Sequence, residues 1–281
     1  MSNKILIIDG YNMIHRCRFK WGGGLADDDN QIIYNFFRLL KSTISQFDPD
    51  IVYFPLDGKP KARLEADPNY KANRSINTDD QDVLDYWNSF RSQKRYIIDS
   101  LMSSYPIRVV HHPDQEGDDL VYYLIKHHHS SDDVTILSSD TDFIQILNEY
   151  PDNVKLYNPI SKKYRQNTDY DYVSWKSMVG DKADNIPGVK GIGKVGATKI
   201  LKTSGLLEEK MINKSFKESY TKSYGLIKLM DLGDEEDSIM ITSSIFDIDS
   251  VEAEFESLSF KTMLTDKYLS SYDEVFSKLK R

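Results

Sequence analysis

The sequence predicts an α/β fold, a mostly parallel central sheet flanked by helices, with a helical region after it. Three observations predict this. Short apolar runs that end in an acid recur in the first half: Lys4 to Asp9 (KILIID), Ile51 to Asp57 (IVYFPLD) and Val134 to Ser138 (VTILS), the last followed by Asp140 and Asp142. Stretches with apolar residues at helical spacing separate these runs, the alternation that builds a parallel sheet covered on both faces. From about Asp169 the pattern turns helical, so sheet-forming sequence belongs mainly to residues 1–170 and a helical region to residues 171–281.

In chain order, KILIID suits a buried parallel strand with its carboxylate at the C-terminal edge. Asn12 to Phe19 begins a helix, and Asp28 to Phe47 is a longer one with Ile32, Ile33, Phe36, Phe37, Leu40 and Ile44 at helical spacing. Within it Gln31, Tyr34 and Phe37 resemble part of a sliding-clamp-binding motif, but Arg38 stands where the second aromatic belongs, and the stripe reads as core. IVYFPLD is a second strand, and Pro55 places it at an edge or marks a distortion. A basic stretch with Gly and Pro follows, Gly58 to Asn77, then a long helix from about Asp79 to Ser104. Arg108 to His111 reads as a third strand, Glu116 to His129 as a helix, VTILS as a fourth strand, and Val154 to Tyr157 with Lys163 to Arg165 as a late hairpin or edge strands. Further helices are expected at Tyr170 to Val179, on either side of a glycine turn, at Gly205 to Met211, Phe216 to Leu232 and Phe260 to Leu264, with Asp234 to Asp237 an acidic loop. Ligands of such sheets bind beyond the carboxyl ends of the strands, and here those ends are acidic.

Composition narrows the class. With 281 residues, 40% hydrophobic and 28% charged, the chain reads as globular, and no apolar run approaches the ~18 residues of a membrane span. Ile5 to Ile8 runs straight into Asp9, unlike a signal peptide, which gives a cytoplasmic expectation. Cys17 is the only cysteine, so an internal disulfide and a thiolate metal site are both excluded. The net charge of −8 argues at first against a polyanionic partner. Setting aside nine carboxylates suited to metal binding leaves 35 of the 44 acidic residues against 36 basic ones, and the objection weakens.

Those nine are Asp9, Asp57, Glu116, Asp118, Asp119, Asp140, Asp142, Asp181 and Asp184. Hard oxygen ligands without cysteine favour Mg²⁺ or Mn²⁺ over Zn²⁺. Their number exceeds what one octahedral ion needs, and two ions about 4 Å apart would use them, one activating water and the other steadying the leaving oxygen of a phosphodiester. Each acid alone has an ordinary reading as a helix cap or a first-turn charge. What that reading lacks is a reason for all these strand ends to be acidic together.

The stretch GDKADNIPGVKGIGKVGA, Gly180 to Ala197, joins Asp181 and Asp184, which would share a face on a helical turn, to a turn punctuated by Gly188, Gly191 and Gly193 between short helices. Such glycines let backbone N–H groups approach an anion at a helix start. His127, His128 and His129 point in different directions at a helix end and read as solvated; His111 and His112 receive no role. Asn69 to Arg74 (NYKANR) sets an aromatic beside two cations, which suits base stacking next to phosphate contacts.

In order and spacing, IIDGYN, LDGKPKARLE, NYKANR, EGDD, SSDTDF and GDKADNIPGVKGIGKVGA resemble the 5′ nucleases: flap endonucleases and the 5′ to 3′ exonuclease domain of bacterial DNA polymerase I. The compact length and RLE followed by YKANR are most similar to the stand-alone enzymes of tailed phages. The motifs cover residues 4 to about 201, and the last 80 or so match only loosely.

The resemblance implies a PIN-like 5′ nuclease fold with a helical arch at about residues 60–104 and a helix-hairpin-helix or helix-two-turn-helix element in the C-terminal region. It implies a monomeric divalent-metal nuclease of replication acting on branched or nicked duplex DNA with a 5′ end or flap, and on RNA–DNA primers. By motif match Asp9, Asp57, Glu116, Asp118 and Asp119 would hold one Mg²⁺, and Asp140, Asp142, Asp181 and Asp184 a second, with Mn²⁺ able to substitute. Lys71 and Arg74 would contact the scissile phosphate, Tyr70 would stack on a base, and Arg16 would sit near the 5′ side of the cleaved strand. Gly188, Lys190, Gly191, Gly193 and Lys194 would hold the duplex backbone, with a K⁺ at the turn. Gly117 departs from the alanine usual after the glutamate, which adds flexibility at a helix start, and Thr141 stands where many members carry lysine.

Three rival readings are weaker. A signalling receiver domain would need a second acid where Gly10 stands. A silent junction binder would have no use for all nine acids, and a compact PIN-type ribonuclease normally lacks the helical DNA-binding part.

Overall fold

The computed structural model describes residues 2–19, 30–74 and 79–281. The expected helix start at Asp28 and the end of the basic stretch beyond Arg74 lie outside them.

Strands β1 (Lys4–Ile8), β2 (Ile51–Leu56), β3 (Arg108–His111), β4 (Asp133–Leu137) and β5 (Val154–Asn158) pair in parallel. Strands β6 (Lys163–Arg165) and β7 (Met240–Thr242) add antiparallel at the two edges, giving the order β6-β5-β4-β1-β2-β3-β7. Successive side chains point to opposite faces of a strand. On β1, Leu6 and Ile8 therefore enter one hydrophobic cluster while Ile5 and Ile7 enter another, and β2 divides Val52, Phe54 and Leu56 from Ile51 and Tyr53 in the same way. Burial on both faces is why these segments read as unbroken apolar runs rather than alternating ones.

The helices are α1 (Gly10–Arg16), α2 (Gln31–Phe47), α3 (Lys61–Ala66), α4 (Gln81–Ser104), α5 (Gly117–Tyr123), α6 (Ile144–Glu149), α7 (Tyr172–Val179), α8 (Lys194–Lys202), α9 (Leu206–Met211), α10 (Lys214–Ile227), α11 (Ile248–Ser257) and α12 (Asp266–Phe276). The apolar stripe of α2 is core, with Phe36, Phe37, Leu40 and Ile44 fully buried. The helix α4 continues the long helix expected there. A π-helical turn, Leu124–His128, follows α5 and carries His127 and His128, both exposed as expected, while His129, next in the chain, is buried rather than solvated. His127 meets Asp231, His128 meets the Tyr123 hydroxyl, and His129 sits between Asp132 and the Tyr53 hydroxyl.

Three expectations are corrected. Pro55 lies in an interior strand, with β3 paired to it at Val110. The ladder to β1 ends at Tyr53, so β2 is edge-like on that side by Pro55, where a missing N–H breaks no rung. Phe260 to Leu264 is a turn between α11 and α12 rather than a helix. Finally, residues 240–281 do not extend the helical region. Strand β7 pairs with β3, while Phe255, Tyr272 and Phe276 pack with Phe37 and Tyr105 in the cluster beneath the sheet. The helical region proper comprises α7 to α10, with its own small core of Met178, Val189, Ala197, Ile200, Phe216 and Tyr220. Among the described residues no helix is long and apolar enough to cross a membrane.

Candidate active site

The parallel strands deliver their acids to one edge of the sheet. Asp9 follows β1 and caps α1, one carboxylate oxygen accepting from the Asn12 N–H at 3.0 Å and the other from the Ser138 hydroxyl at 2.6 Å. Gly10 begins α1 because the helix start lies against β2. A Cβ there would stand 2.7 Å from the Pro55 carbonyl oxygen. Asp57 follows β2 and accepts from the Gly117 N–H at 2.7 Å. A Cβ on Gly117 would lie 3.0 Å from the same Asp57 oxygen, so glycine here gives that carboxylate room at the start of α5. Asp140, after β4, accepts from the Asp142 N–H at 2.8 Å.

Asp9, Asp57, Asp118 and Asp140 lie close enough to act on one another electrostatically. Burial pushes the Asp9 carboxyl up to about 7, with Asp57 and Asp140 adding to the rise. Burial likewise raises Asp57. It holds Asp118 well above the usual range, helped by Asp140, Asp9 and Asp57. Among the described residues none of these four carboxylates makes an ion pair. Acids crowded together, half-buried at Asp9, Asp118 and Asp140 and exposed at Asp57, with only a longer-range pull from Lys71 and Arg74, are a fit environment for a hard cation, which would let them ionise together.

The other five acids already hold protein cations. Arg63, on α3, is buried and donates to both oxygens of Asp119 at 2.5 and 2.7 Å and to Glu116 at 2.9 Å. It also donates to the carbonyls of Leu226 and Lys228, tying α3 to the end of α10. Lys71 pairs closely with Glu116 and lies 3.7 Å from Asp184, and Arg74 pairs closely with Asp184. Lys176, on α7, pairs closely with Asp142 and at 2.6 Å with Asp181. Burial would raise Glu116, but Lys71 and Arg63 outweigh it and leave the acid below its ordinary value. For Asp142 burial wins over Lys176, and the carboxyl stands at about 6. Carboxylate oxygens of Asp142, Asp181 and Asp184 converge within 4.8 Å of one another, a spacing that suits one divalent ion.

Four site expectations change. Asp119 does not face the cluster: it is fully buried, both its oxygens are held by Arg63, and one also accepts from the Met230 N–H at 2.8 Å. That occupancy fits an anchor for Arg63 rather than a metal ligand. Tyr70 is 5% exposed and donates to Glu116 at 2.9 Å, so its ring is not open to a base. Asp181 and Asp184 share a site through a closed turn, with the backbones of Asp181 and Ile186 bridged, and not through a helix. Gly117 makes room rather than adding flexibility.

Lys71 adopts φ +57°, a left-handed conformation costing about 1–2 kcal/mol for a residue with a Cβ. Its N–H donates to the Asp184 carbonyl at 3.0 Å, which fixes the turn that aims the side chain at the acids. This strained residue thus reaches both Glu116 and Asp184.

The glycine turn divides its labour. Gly188 (φ +69°) is packed, and a Cβ would meet the Gly180 nitrogen at 2.5 Å and the Met178 carbonyl oxygen at 2.6 Å. Gly191 (φ +83°) and Gly193 have no atom within 4 Å of that position. Gly193 caps α8, and Lys190, Gly191, Gly193 and Lys194 are exposed, so an anion's backbone has open access to the first turn. One short helix, α7, precedes the closed turn and another, α8, follows it. Arg16 ends α1, half-buried, with Tyr157 among its electrostatic neighbours.

Lys176 and Arg63 carry no role in the sequence reading. A signal for Lys176 exists: it shares the buried face of α7 with Tyr172 and Val173, at helical spacing, where a lysine requires an acid. Arg63 has no comparable local signal, because its partners lie 53 or more residues away.

Comparison with known proteins bears on the family and the fold. The family model for the 5′-3′ exonuclease N-terminal, resolvase-like domain matches residues 4–178. A thermostable DNA polymerase I of Thermus thermophilus is 29% identical over 225 residues, covering 75% of this chain and 25% of the polymerase. The chain thus spans about a quarter of the polymerases it matches. A 5′-3′ exonuclease of Mycoplasmopsis pulmonis is 28% identical over 221 residues, covering 74% of this chain and 69% of its own. The bacteriophage T5 D15 flap endonuclease, solved with DNA and metal ions, has the same fold, with a TM-score of 0.63 at 18% identity over 97% of this chain and 98% of that one.

Proposed function

Because the chain belongs to the 5′-3′ exonuclease family, whose members are phosphodiester hydrolases, we propose that it is a divalent-metal-dependent 5′ nuclease of replication acting at 5′ ends, nicks and flaps of duplex DNA. The observation that carries this reading is the group of acids gathered at the C-terminal ends of the parallel strands, faced by Lys71. Mg²⁺ is the ion that oxygen-only ligands favour, with Mn²⁺ able to replace it. Asp9, Asp57, Asp118 and Asp140, with Glu116, would hold one ion, and Asp142, Asp181 and Asp184 another; Asp140, expected with the second ion, is assigned to the first because it acts on Asp9 and Asp118 and does not join the other three. When bound, the ions would lower the pKa of an attacking water and stabilise the leaving oxygen.

The chain's own residues then have separate tasks. Lys71 and Arg74 leave their acids to meet the phosphate that is cut, placing positive charge where negative charge develops. Arg63 holds Glu116 in line and keeps α3 seated against the end of α10. The exposed part of the turn, Lys190 to Lys194, would receive the duplex backbone at the start of α8, and the turn from Gly188 to Lys194 would hold a K⁺ that adds positive charge there. That turn, with α7 to α10, is the DNA-binding region in this reading, and Arg16 lies toward the 5′ side. An RNA–DNA primer is a further substrate of the same chemistry.

The test is single-turnover cleavage of a 5′-labelled flap with Mg²⁺ and then with EDTA, mapping product length. A metal-dependent cut near the junction is expected. Binding without any cut would leave a junction-binding protein, and neither binding nor cutting would end the nuclease reading.

A further inference from the structure

Taking the nuclease reading as its premise, this inference concerns how the second ion would enter. We propose that Lys176 is a resident counter-ion, and that a divalent cation binding among Asp142, Asp181 and Asp184 must displace its ammonium, so that this group loads after the group of Asp9, Asp57, Asp118 and Asp140.

The geometry behind it is specific. Lys176 has 7% of its side chain exposed, and its Nζ bridges Asp142 and Asp181, two of the three acids whose oxygens converge. The third, Asp184, is held by Arg74, with Lys71 at 3.7 Å. Every carboxylate in this group is therefore neutralised by the chain itself, whereas among the described residues the other four have no ion pair. An incoming ion at Asp9, Asp57, Asp118 and Asp140 has no ion pair of the described residues to break. An ion at the second group must break at least two ion pairs, which lowers its net gain.

Displacement is also mechanically feasible. The helix α7 is fixed, capped by Asp171 through the Val173 and Ser174 N–H groups and packed on α8 and α10. Its backbone cannot withdraw the lysine. The four-carbon stem can, because its rotamers move the ammonium several ångströms without moving the helix. The acids gain an ion, and Lys176 is free to face solvent or a phosphate. A purely structural lysine would behave otherwise: removing it would loosen α7 and leave metal affinity unchanged or weakened.

The experiment is Mn²⁺ binding to the full chain without DNA, by calorimetry and by electron paramagnetic resonance of free Mn²⁺. The unaltered protein should show a tight and a weaker step. In Lys176→Met the second step should tighten by about tenfold or more, the size expected when one unit charge leaves the site. The first should stay within about twofold of its original value, as expected for a cation that does not pair with that group. Lys176→Arg, which keeps the charge, should leave the second step weak. A second step that is unchanged or weaker in folded Lys176→Met overturns the proposal.

If Lys176→Met fails to fold, the unaltered chain labelled with [¹³C]lysine decides it during a Mg²⁺ titration. The Lys176 ε-carbon signal should move with the second step, and movement with the first step, or none, overturns it. Flap cleavage measured in parallel separates the two readings. Loss of Lys176 displacement with cleavage retained refutes only this inference, and displacement without cleavage refutes only the nuclease.

Discussion

Asp9, Asp57, Asp118 and Asp140 on one side, and Glu116, Asp119, Asp142, Asp181 and Asp184 on the other, meet at the same edge of the sheet under opposite electrostatic conditions. The first four crowd one another with no ion pair among the described residues, and desolvation raises Asp9, Asp57 and Asp118. The other five are clasped by Arg63, Lys71, Arg74 and Lys176. The first set stores a demand for cations; the second has met it from within the chain. The difference shows that a row of acids is not one feature: what each does depends on whether a lysine or arginine from a distant element reaches it.

Replacing one acid from each set tests this division most sharply. Asp118→Asn removes a charge from the unpaired set, and Asp181→Asn removes a partner of Lys176. Both should reduce single-turnover cleavage by a factor on the order of 10³, the scale of losing one preorganised electrostatic group at a reacting centre. Their metal-free stabilities should diverge. Asp118→Asn relieves repulsion and should raise the melting temperature in EDTA, whereas Asp181→Asn leaves Lys176 with Asp142 alone and should lower it. Equal shifts in the two variants would break the distinction.

Arg63→Met comes next in size. It strands Asp119, which has no exposed surface, and strips a partner from Glu116. Removing one member of a buried pair costs about 3–5 kcal/mol. Urea unfolding should show a loss of that order, with most of it recovered in Arg63→Met combined with Asp119→Leu, where no charge is left unpaired. A double variant as unstable as the single one would mean that Arg63 acts by packing, and that Asp119 is an ordinary member of the metal set.

Lys71→Ala should slow cleavage about 10²-fold while flap affinity changes only a few-fold, because the lysine's charge matters most where phosphate charge develops. Equal losses in rate and binding would refute the transition-state role. The contact with Glu116 would then be a structural pair like that of Arg63.

How much of this was legible in the sequence follows the range of each interaction. The acids at the ends of KILIID, IVYFPLD and VTILS were visible because strand, edge and acid are adjacent in the chain. Pro55 misled, because whether a strand is an edge depends on where its ladder to a neighbour stops. Asp119 was grouped with Asp118, although adjacent helical residues project about 100° apart, and the structure sends one to the cluster and the other to Arg63. Tyr70 read as an exposed aromatic in a basic loop, because nothing local reveals its hydrogen bond to Glu116, 46 residues on. The return of residues 240–281 to the core also lacked a local signal: β7 has three residues, all exposed, and its apolar pattern is too short to register as a strand.

The smallest expected effect is on stability against pH, and there the raised acids, Asp142 of the second set at about 6 among them, should pull against the depressed Glu116 and Asp181. Asp9, raised to about 7, binds a proton in the folded chain that the unfolded chain has already released above its ordinary value of 3.8. Its stabilising contribution is therefore complete below that value and lost as pH rises through about 7; Asp57 and Asp118, also raised, act with the same sign. Glu116 and Asp181 are depressed, so their contribution is present above the ordinary carboxylate range and lost as pH falls through their lowered values. In EDTA the melting temperature should be highest near pH 5 and decline toward pH 7.5, by about 2–4 °C for each kcal/mol in a chain of this size. Saturating Mg²⁺ favours the ionised form of the first set and should abolish that decline without altering the acid limb as strongly. Calorimetry at four or five pH values, with EDTA and with Mg²⁺, reads both limbs. A melting temperature in EDTA that climbs steadily from pH 5 to 7.5 would mean that the first set already has cations of its own, and the two halves of the site would then be alike.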